Sequence, residues 1–277
     1  MTTLYHYTDV NGFFNIIKHK KLWLSGPHNL NDYQEVHWAY HKIQSTLNKL
    51  VNEYDREHIQ FIWDQANLQK LVPFTCSLSS DGDLLSQWRA YAKDGSGVAI
   101  GLNSELLPVT GAFPHLSAAL NNSITTMQVL YDNDVQDGAI DQIIRSTLDS
   151  MKGKEIEESG GIVIEAAYKL SGLSTIFKNQ AFKEECEWRI IHTPQIWGNT
   201  ATNKTTTTAI SELCHRASNE KLISYFEYDL SDLISQNIIT DLILGPKCAI
   251  EKYDLELFLT TSGLERLKFT RSSASYR

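Results

Sequence analysis

Apolar and polar positions fall into helical and strand periods along most of the chain. Leu4 to Tyr7 predicts a short strand, and Val10, Phe13, Phe14, Ile16 and Ile17 recur behind it at helical spacing. Thr8 and Asp9 are good N-caps for that helix. The basic run Lys18-His19-Lys20-Lys21 suits the negative end of its dipole. Leu22 to Ser25 predicts a second strand, closed by Gly26-Pro27. Asn31 and Asp32 open a long helix with Val36, Tyr40, Ile43, Leu47 and Leu50 on one side, and the pattern continues to Leu71 before Pro73 stops it.

Pro73 to Ser79 is rich in strand formers. Asp83 is placed to cap a short helix carrying Leu84, Leu85, Trp88, Tyr91 and Ala92 on one side, and Asp94-Gly95-Ser96-Gly97 makes a turn into a buried strand, Val98 to Leu102. Farther on, Thr125 to Tyr131 predicts a strand, Asp137 to Met151 and Ile162 to Phe177 predict helices, and Phe182 to His192 predicts a strong strand. Asn199 to Thr208 is polar and Thr-rich and reads as an exposed loop. Ile223 to Tyr228, Leu242 to Leu244 and Leu267 to Thr270 are late strand candidates. No repeat and no Pro/Gly/Ser linker divides the chain. The expectation is therefore one α+β domain over residues 1–277, with a helical insertion near 32–71.

Composition narrows the function classes. With 277 residues, 42% hydrophobic and 21% charged, the chain can bury a sizeable core and is neither disordered nor collagen-like. A net charge of −8 disfavours holding duplex DNA by charge alone. Cys76, Cys186, Cys214 and Cys248 are far apart and form no C-x-x-C pair, so neither a disulfide framework nor a four-cysteine zinc site is expected. The first residues, MTTLYHYTDV, lack a basic and an apolar signal region, and no apolar run is long enough to span a membrane. A cytoplasmic protein without membrane contact is the expectation.

Five segments carry candidate chemistry. On a strand over Phe182 to Ile191, Glu185, Glu187 and Arg189 share one face, and Cys186, Trp188 and Ile190 the other. Either this is a salt-bridged surface strand or it is a cleft wall whose carboxylates handle a ribose hydroxyl or a metal. His6, between Tyr5 and Tyr7, is either a satisfied core histidine or a hydrogen-bonding group beside rings that stack on a planar ligand. Thr75, Ser77 and Ser79 share a face, as ordinary solvent residues or as ligand contacts. Trp88 and Tyr91 fit the apolar stripe of the short helix, and Arg89 beside them has the reach and charge to hold a phosphate. Asn31 or Asp32 with Glu35 is a capping-box variant, with a metal role as the alternative. His37 and His41 have the spacing of a zinc pair but lack the Glu of H-E-x-x-H. There is no P-loop, no dinucleotide fingerprint and no G-x-S-x-G elbow.

In order, LYHYTD, LWLSGPHNLNDYQE, CSLSSDGDLLSQWRAYAKDGSGVAIGL, FKEECEWRII, LILGP and a terminal SYR make the chain resemble a bacterial family, domain of unknown function 2971. Where that family usually reads Asn-Asp-Pro-Phe-Glu, Tyr33-Gln34 stand here in place of Pro-Phe. The layout also resembles the ADP-ribosyltransferase superfamily, whose fold is a split β-sandwich that binds NAD in a cleft. That resemblance implies an enzyme that cleaves NAD at the nicotinamide bond and transfers ADP-ribose to a macromolecule. It implies Glu187 as the catalytic carboxylate and Glu185 as the group that positions or deprotonates the acceptor. His6 is the first-strand group, Thr75 and Ser77 stand for a Ser-Thr-Ser strand, Tyr7 or Tyr91 lies near the nicotinamide ring, and Arg189 or Arg89 holds the pyrophosphate. By the same analogy the protein is a bacterial toxin or anti-phage effector with a protein or nucleic-acid acceptor and an antitoxin partner.

Two other readings compete. A metal-dependent nuclease would gather Asp32, Glu185 and Glu187 around Mg²⁺, although Arg189 stands where the usual Lys of such a core would be. A non-catalytic nucleotide-sensing or partner-binding module would bind NAD without consuming it, or use the 32–71 helix with Trp38 and Trp63 as a partner surface.

Overall fold

Asp9 turns the first strand into the first helix. In the computed structural model of the chain, which describes residues 2–26, 33–69, 73–109, 123–198, 204–207, 209–218 and 220–274, its carboxylate accepts the Gly12 backbone N–H at 2.7 Å. Strand β1 (Thr3–Thr8) therefore ends in helix α1 (Val10–His19), which buries Phe13, Ile16 and Ile17. Lys20 takes a left-handed conformation (φ 55°) and releases the chain into β2 (Lys21–Ser25).

The remaining elements are α2 (Tyr33–Leu50), α3 (Arg56–Leu68), β3 (Phe74–Ser79), α4 (Leu85–Ala90), β4 (Val98–Asn103), β5 (Ile124–Gln128), α5 (Asn133–Met151) and α6 (Ile156–Leu173). After them come β6 (Glu187–His192), β7 (Gln195–Gly198), β8 (Lys204–Thr207), β9 (Cys214–Ser218), β10 (Lys221–Asp229), α7 (Ser231–Ile234), β11 (Ile239–Leu244), α8 (Lys252–Thr261) and β12 (Lys268–Arg271).

Among the described residues ten strands form one sheet, antiparallel except for the β11–β12 pair, and β7 with β8 makes a separate hairpin. The main path runs β12-β11-β4-β1-β3-β2-β10-β9, and β6 joins β3 and carries β5. Strand β3 branches this sheet. It pairs with β6 along its whole length, Phe74↔His192 through Ser79↔Glu187. A strand has only two hydrogen-bonding edges. Both β1 and β2 must therefore share the other edge, β1 through Tyr5↔Ser79 and β2 through Ser25↔Thr75. The two strands diverge from opposite ends of β3 and leave a fork opposite Ser77.

Alternation along the strands sorts side chains into layers. Leu4, Leu22, Leu24, Phe74, Cys76, Leu78, Ile100 and Ile190 join the main core, which α1 and α8 also enter. A second core is built by α2, α3, α5 and α6 against Ile191 of β6. The helices at 33–68 thus do not stand alone: α3 packs on α6 and α2 on α5. A small third core of Tyr7, Trp88, Ala92 and Ala99 fastens α4 to β1 and β4. Among the described residues no helix is long and apolar enough to cross a membrane, and the four cysteines are free thiols.

Several expectations are corrected. The single helix expected to reach Leu71 is two helices. The Glu53 and Tyr54 N–H groups return to the Leu50 carbonyl, and Asp55 caps α3 by accepting from Glu57 N–H at 2.7 Å. Asp83 does not cap α4, whose N-cap is Leu84; its carboxylate instead takes the Trp88 indole N–H at 2.8 Å and the hydroxyls of Ser272 and Ser273. The strand expected from Phe182 begins only at Glu187, because a 3-10 turn over Gln180–Glu185 precedes it and Cys186 is left-handed (φ 47°). Lys204–Thr207, read as loop, pairs with β7. Asp32 and the terminal SYR lie outside the described residues.

Candidate functional site

The fork between β1 and β2 opens into a cleft of about 460 Å³. Its β1 side carries His6, Tyr7 and Thr8, and its floor is Thr75, Cys76 and Ser77 of β3. Asn11, Gly12 and Asn15 of α1 lie over it, and Lys21 and Trp23 of β2 with Arg216 and Glu227 form the far side. Most lining residues carry a polar group, yet more of the exposed wall is apolar than polar, with Trp23 and Tyr91 as flat surfaces, a composition suited to a ligand that joins a planar ring to polar groups.

His6 is fixed by the branch. Ser77 has neither β1 nor β2 as a bridge partner, and its carbonyl takes the His6 Nδ1 at 3.0 Å instead. A carbonyl only accepts, so Nδ1 carries the proton and Nε2 is the ring nitrogen left for other contacts. The Cys76 sulfur lies 3.5 Å from the same Nδ1. Burial opposes charge on this ring, but the Cys76 sulfur and the Ser77 carbonyl outweigh it and raise His6 to about 9. Tyr7 lines the cleft, yet its hydroxyl donates to the Asp81 carbonyl and accepts from the Leu84 N–H, both at 2.9 Å. Its ring meets Trp88 edge-on at 4.8 Å, and burial pushes its phenol up.

Behind Ser77 lies a buried charge cluster. The Ser77 hydroxyl donates to Glu187 Oε1 at 2.7 Å. Arg189 binds both oxygens of Glu187, Nε to Oε1 at 2.8 Å and Nη2 to Oε2 at 3.0 Å, and donates Nη1 to the Thr175 carbonyl. Lys178 Nζ bridges Glu185 at 2.7 Å and Glu187 at 2.9 Å. Burial alone would raise the Glu187 carboxyl; Arg189, Lys178 and the Ser77 hydroxyl hold it down, at about 2. With one cation chelating it and a second shared with Glu185, Glu187 is anionic and fully hydrogen-bonded.

The residues singled out in the sequence fall into three places. His6, Tyr7, Thr75, Ser77 and Tyr91 line the cleft. Glu185, Glu187 and Arg189 converge as a cluster, but none of them lines it; the Ser77 side chain connects the two. Arg89 is exposed on α4 and does not line the cleft either. Periodicity did not single out Lys21, Trp23, Arg216 and Glu227. The available signal was the alternation of Lys21, Trp23 and Ser25 with the buried Leu22 and Leu24, which puts a cation and an indole on one strand face. Glu227 is salt-bridged to Lys21. Among the described residues no group of three His, Cys, Asp or Glu side chains could hold a metal ion.

Residues 87–190 match a family model described as a protein of unknown function (DUF2971). The matched segment contains Tyr91, Glu185, Glu187 and Arg189. His6, Thr75 and Ser77 precede it. No curated protein and no solved structure matches the chain.

Proposed function

We propose that the fork cleft binds NAD and that the protein is an ADP-ribosyltransferase-like enzyme, transferring ADP-ribose to a macromolecular acceptor. The observation that carries this reading is Ser77. It sits where the sheet splits, its carbonyl orients the first-strand His6, and its hydroxyl is bound by the glutamate of β6. A histidine on the first strand, a serine on a central strand and a glutamate on a later one are the groups that the superfamily resemblance asks for, and here one residue joins the other two.

In such a transfer the bond between ribose C1′ and nicotinamide nitrogen breaks. Nicotinamide leaves with the bonding pair as a neutral base. The oxocarbenium-like C1′ is then attacked by the acceptor's nucleophilic atom, whose proton passes to water. Ser77 donates its own proton to Glu187, so its lone pairs are left for a ribose hydroxyl. Glu187 is a positioning residue in this scheme, since it acts through Ser77. Asp9 and Glu227 are the carboxylates that line the cleft, and Glu227, bonded to Lys21 through Oε2, is assigned to face the developing positive charge with its other oxygen, the kind of preorganised electrostatics that usually supplies the largest catalytic effect. His6, carrying a proton at neutral pH, donates from Nε2 to the dinucleotide.

The nuclease reading is less favoured. Glu185 and Glu187 already share the Lys178 ammonium at the point where a metal would be needed. The direct test is release of nicotinamide from labelled NAD in the presence of cell lysate, followed by protease or nuclease digestion of labelled product. Wild type is expected to release nicotinamide, with Glu227→Gln and Ser77→Ala slower by about 10²-fold. No NAD binding by calorimetry, or equal rates in all three proteins, would refute the reading.

A further inference from the structure

We propose that Arg216, held over the Trp23 ring, forms a phosphoryl-binding subsite at the β2–β9–β10 end of the cleft, and that the ligand it takes is a nucleoside diphosphate. The Arg216 guanidinium carbon lies 5.2 Å from the centroid of the Trp23 ring, and that ring in turn packs on Tyr225 at 4.7 Å. The indole lies beneath the guanidinium and covers it from that side. The hydrogen-bonding edges of the guanidinium remain.

One of those edges is incomplete. Arg216 Nε is buried and has no hydrogen-bond partner among the described residues. Buried donors are almost always satisfied, so a charged N–H left without an acceptor inside a ligand cleft marks a place where an acceptor is missing. The neighbouring cation cannot use the same acceptor, because Lys21 is already paired with Glu227. That pair is neutral as a unit, so the positive charge of Arg216 is what an incoming group meets at this end. A guanidinium edge presents parallel N–H groups that match two oxygens of a phosphoryl group. Trp23 and Tyr91 line the same cleft and favour a ligand that also carries a ring, which points to a nucleotide rather than to a small carboxylate.

The subsite rests on the reading of the cleft as a dinucleotide site and supplies what that reading otherwise lacks. Arg189 is buried in its contacts with Glu187, and Arg89 lies off the cleft, so neither can hold the pyrophosphate there. The assignment also sets the ligand's direction, with its phosphates towards Arg216 of β9 and its reacting ribose between Ser77 and Glu227.

Isothermal calorimetry with ADP, inorganic pyrophosphate and adenosine on the full chain tests the subsite separately from catalysis. Wild type is expected to bind ADP at least tenfold more tightly than adenosine. Arg216→Gln should lose that difference, while its weak adenosine binding and its melting temperature stay close to wild type. Arg216→Lys, which keeps the charge but loses the planar edge, should recover only part of the ADP affinity. ADP binding that depends on Arg216 in a protein that releases no nicotinamide would leave the subsite standing and remove the transferase. NAD turnover with an unchanged KM in Arg216→Gln, or ADP bound no better than adenosine by wild type, would overturn the subsite.

Discussion

Ser77 and Glu187 sit opposite different residues in the β3–β6 ladder, yet the Ser77 hydroxyl reaches back to the Glu187 carboxylate at 2.7 Å. Ser77 pairs across the ladder with Arg189, and Arg189 itself turns onto Glu187, so the three side chains close on one another on one face of the sheet. The buried cluster and the open cleft therefore share a single side chain. Ser77→Ala removes one of several bonds to Glu187 and leaves Arg189 and Lys178 in place. Its unfolding free energy should fall by only about 1 kcal/mol, read by urea denaturation with an unchanged slope, while nicotinamide release falls far more. A loss of activity no larger than the loss of stability would make Ser77 structural only.

Lys178 has a different character. Its ammonium is almost fully buried between Glu185 and Glu187. Removing one member of a buried ionic group leaves the others uncompensated, at a cost of about 3–5 kcal/mol. Lys178→Met is expected to show that loss in denaturant melts. Lys178→Met with Glu185→Gln should recover part of it, because one of the stranded charges has gone. If the double variant is no more stable than the single one, Glu185 is not part of the coupled unit.

Two buried groups set the response to acid, and their signs agree. Glu187 is held at about 2 against an ordinary 4.5, so its stabilisation is present above 4.5 and is lost as pH falls from there towards 2. His192 is pressed down to about 4 from 6.5 by burial, which the Ser123 carbonyl only partly offsets. The unfolded chain takes up this proton below 6.5 and the folded chain does not, so stability declines as pH falls from 6.5 to 4. Each window is worth about 3 kcal/mol at most. Thermal melts of wild type should drop between pH 6.5 and 4.5, before the Glu187 window begins. In His192→Gln that first drop should flatten, and an unchanged slope would reassign it to other groups.

Much of this fold was legible because local chemistry and tertiary packing agree. The β1–α1–β2 unit follows from one alternating run, an Asp9 cap and a basic helix end. Other features depended on distant contacts. The left-handed Cys186 has no local signature, since a non-glycine residue adopts positive φ only when its surroundings require it. Helix α8 exposes Tyr253 and Leu257, so its apolar face was too thin to stand out. The cleft shows the same division. His6, Thr75 and Ser77 could be singled out from alternation on their own strands. Arg216 and Glu227 reach the cleft only because β9 pairs with β10 and β10 with β2, a pairing across nearly the length of the chain that periodicity does not encode.

The His6–Cys76 contact makes a charge prediction of opposite sign to the acid response. With His6 raised to about 9, its contribution to stability is fully present below 6.5 and is lost as pH rises through 9. The sulfur 3.5 Å from Nδ1 is the main support for the charged ring. Cys76→Ala removes it and leaves burial opposed only by the Ser77 carbonyl. NMR of the imidazole carbons should show the His6 midpoint well above 6.5 in wild type and clearly lower in Cys76→Ala. A midpoint that does not move would assign the support to the carbonyl alone.

Gly97 controls the cleft from a distance. A Cβ at this position would overlap the Thr8 carbonyl and crowd the Ala92 methyl. The Gly97 N–H bonds the Ala92 carbonyl at 2.9 Å, and its own carbonyl accepts from Gly245 N–H at 2.9 Å, so the backbone cannot step aside without breaking both. Thr8 ends β1 opposite Val98, which makes Gly97 the point where β1, β4 and the small Tyr7–Trp88 core are closed together. Gly97→Ala should therefore cost about 1–3 kcal/mol, as overpacking in a closed site does. It should also loosen the β1 end of the fork, where Thr8 and Tyr7 line the cleft. Hydrogen exchange would read this as faster exchange of β1 amides than of β6 amides. Uniform loss of protection across the sheet would mean that Gly97 stabilises the whole fold and has no particular hold on the fork.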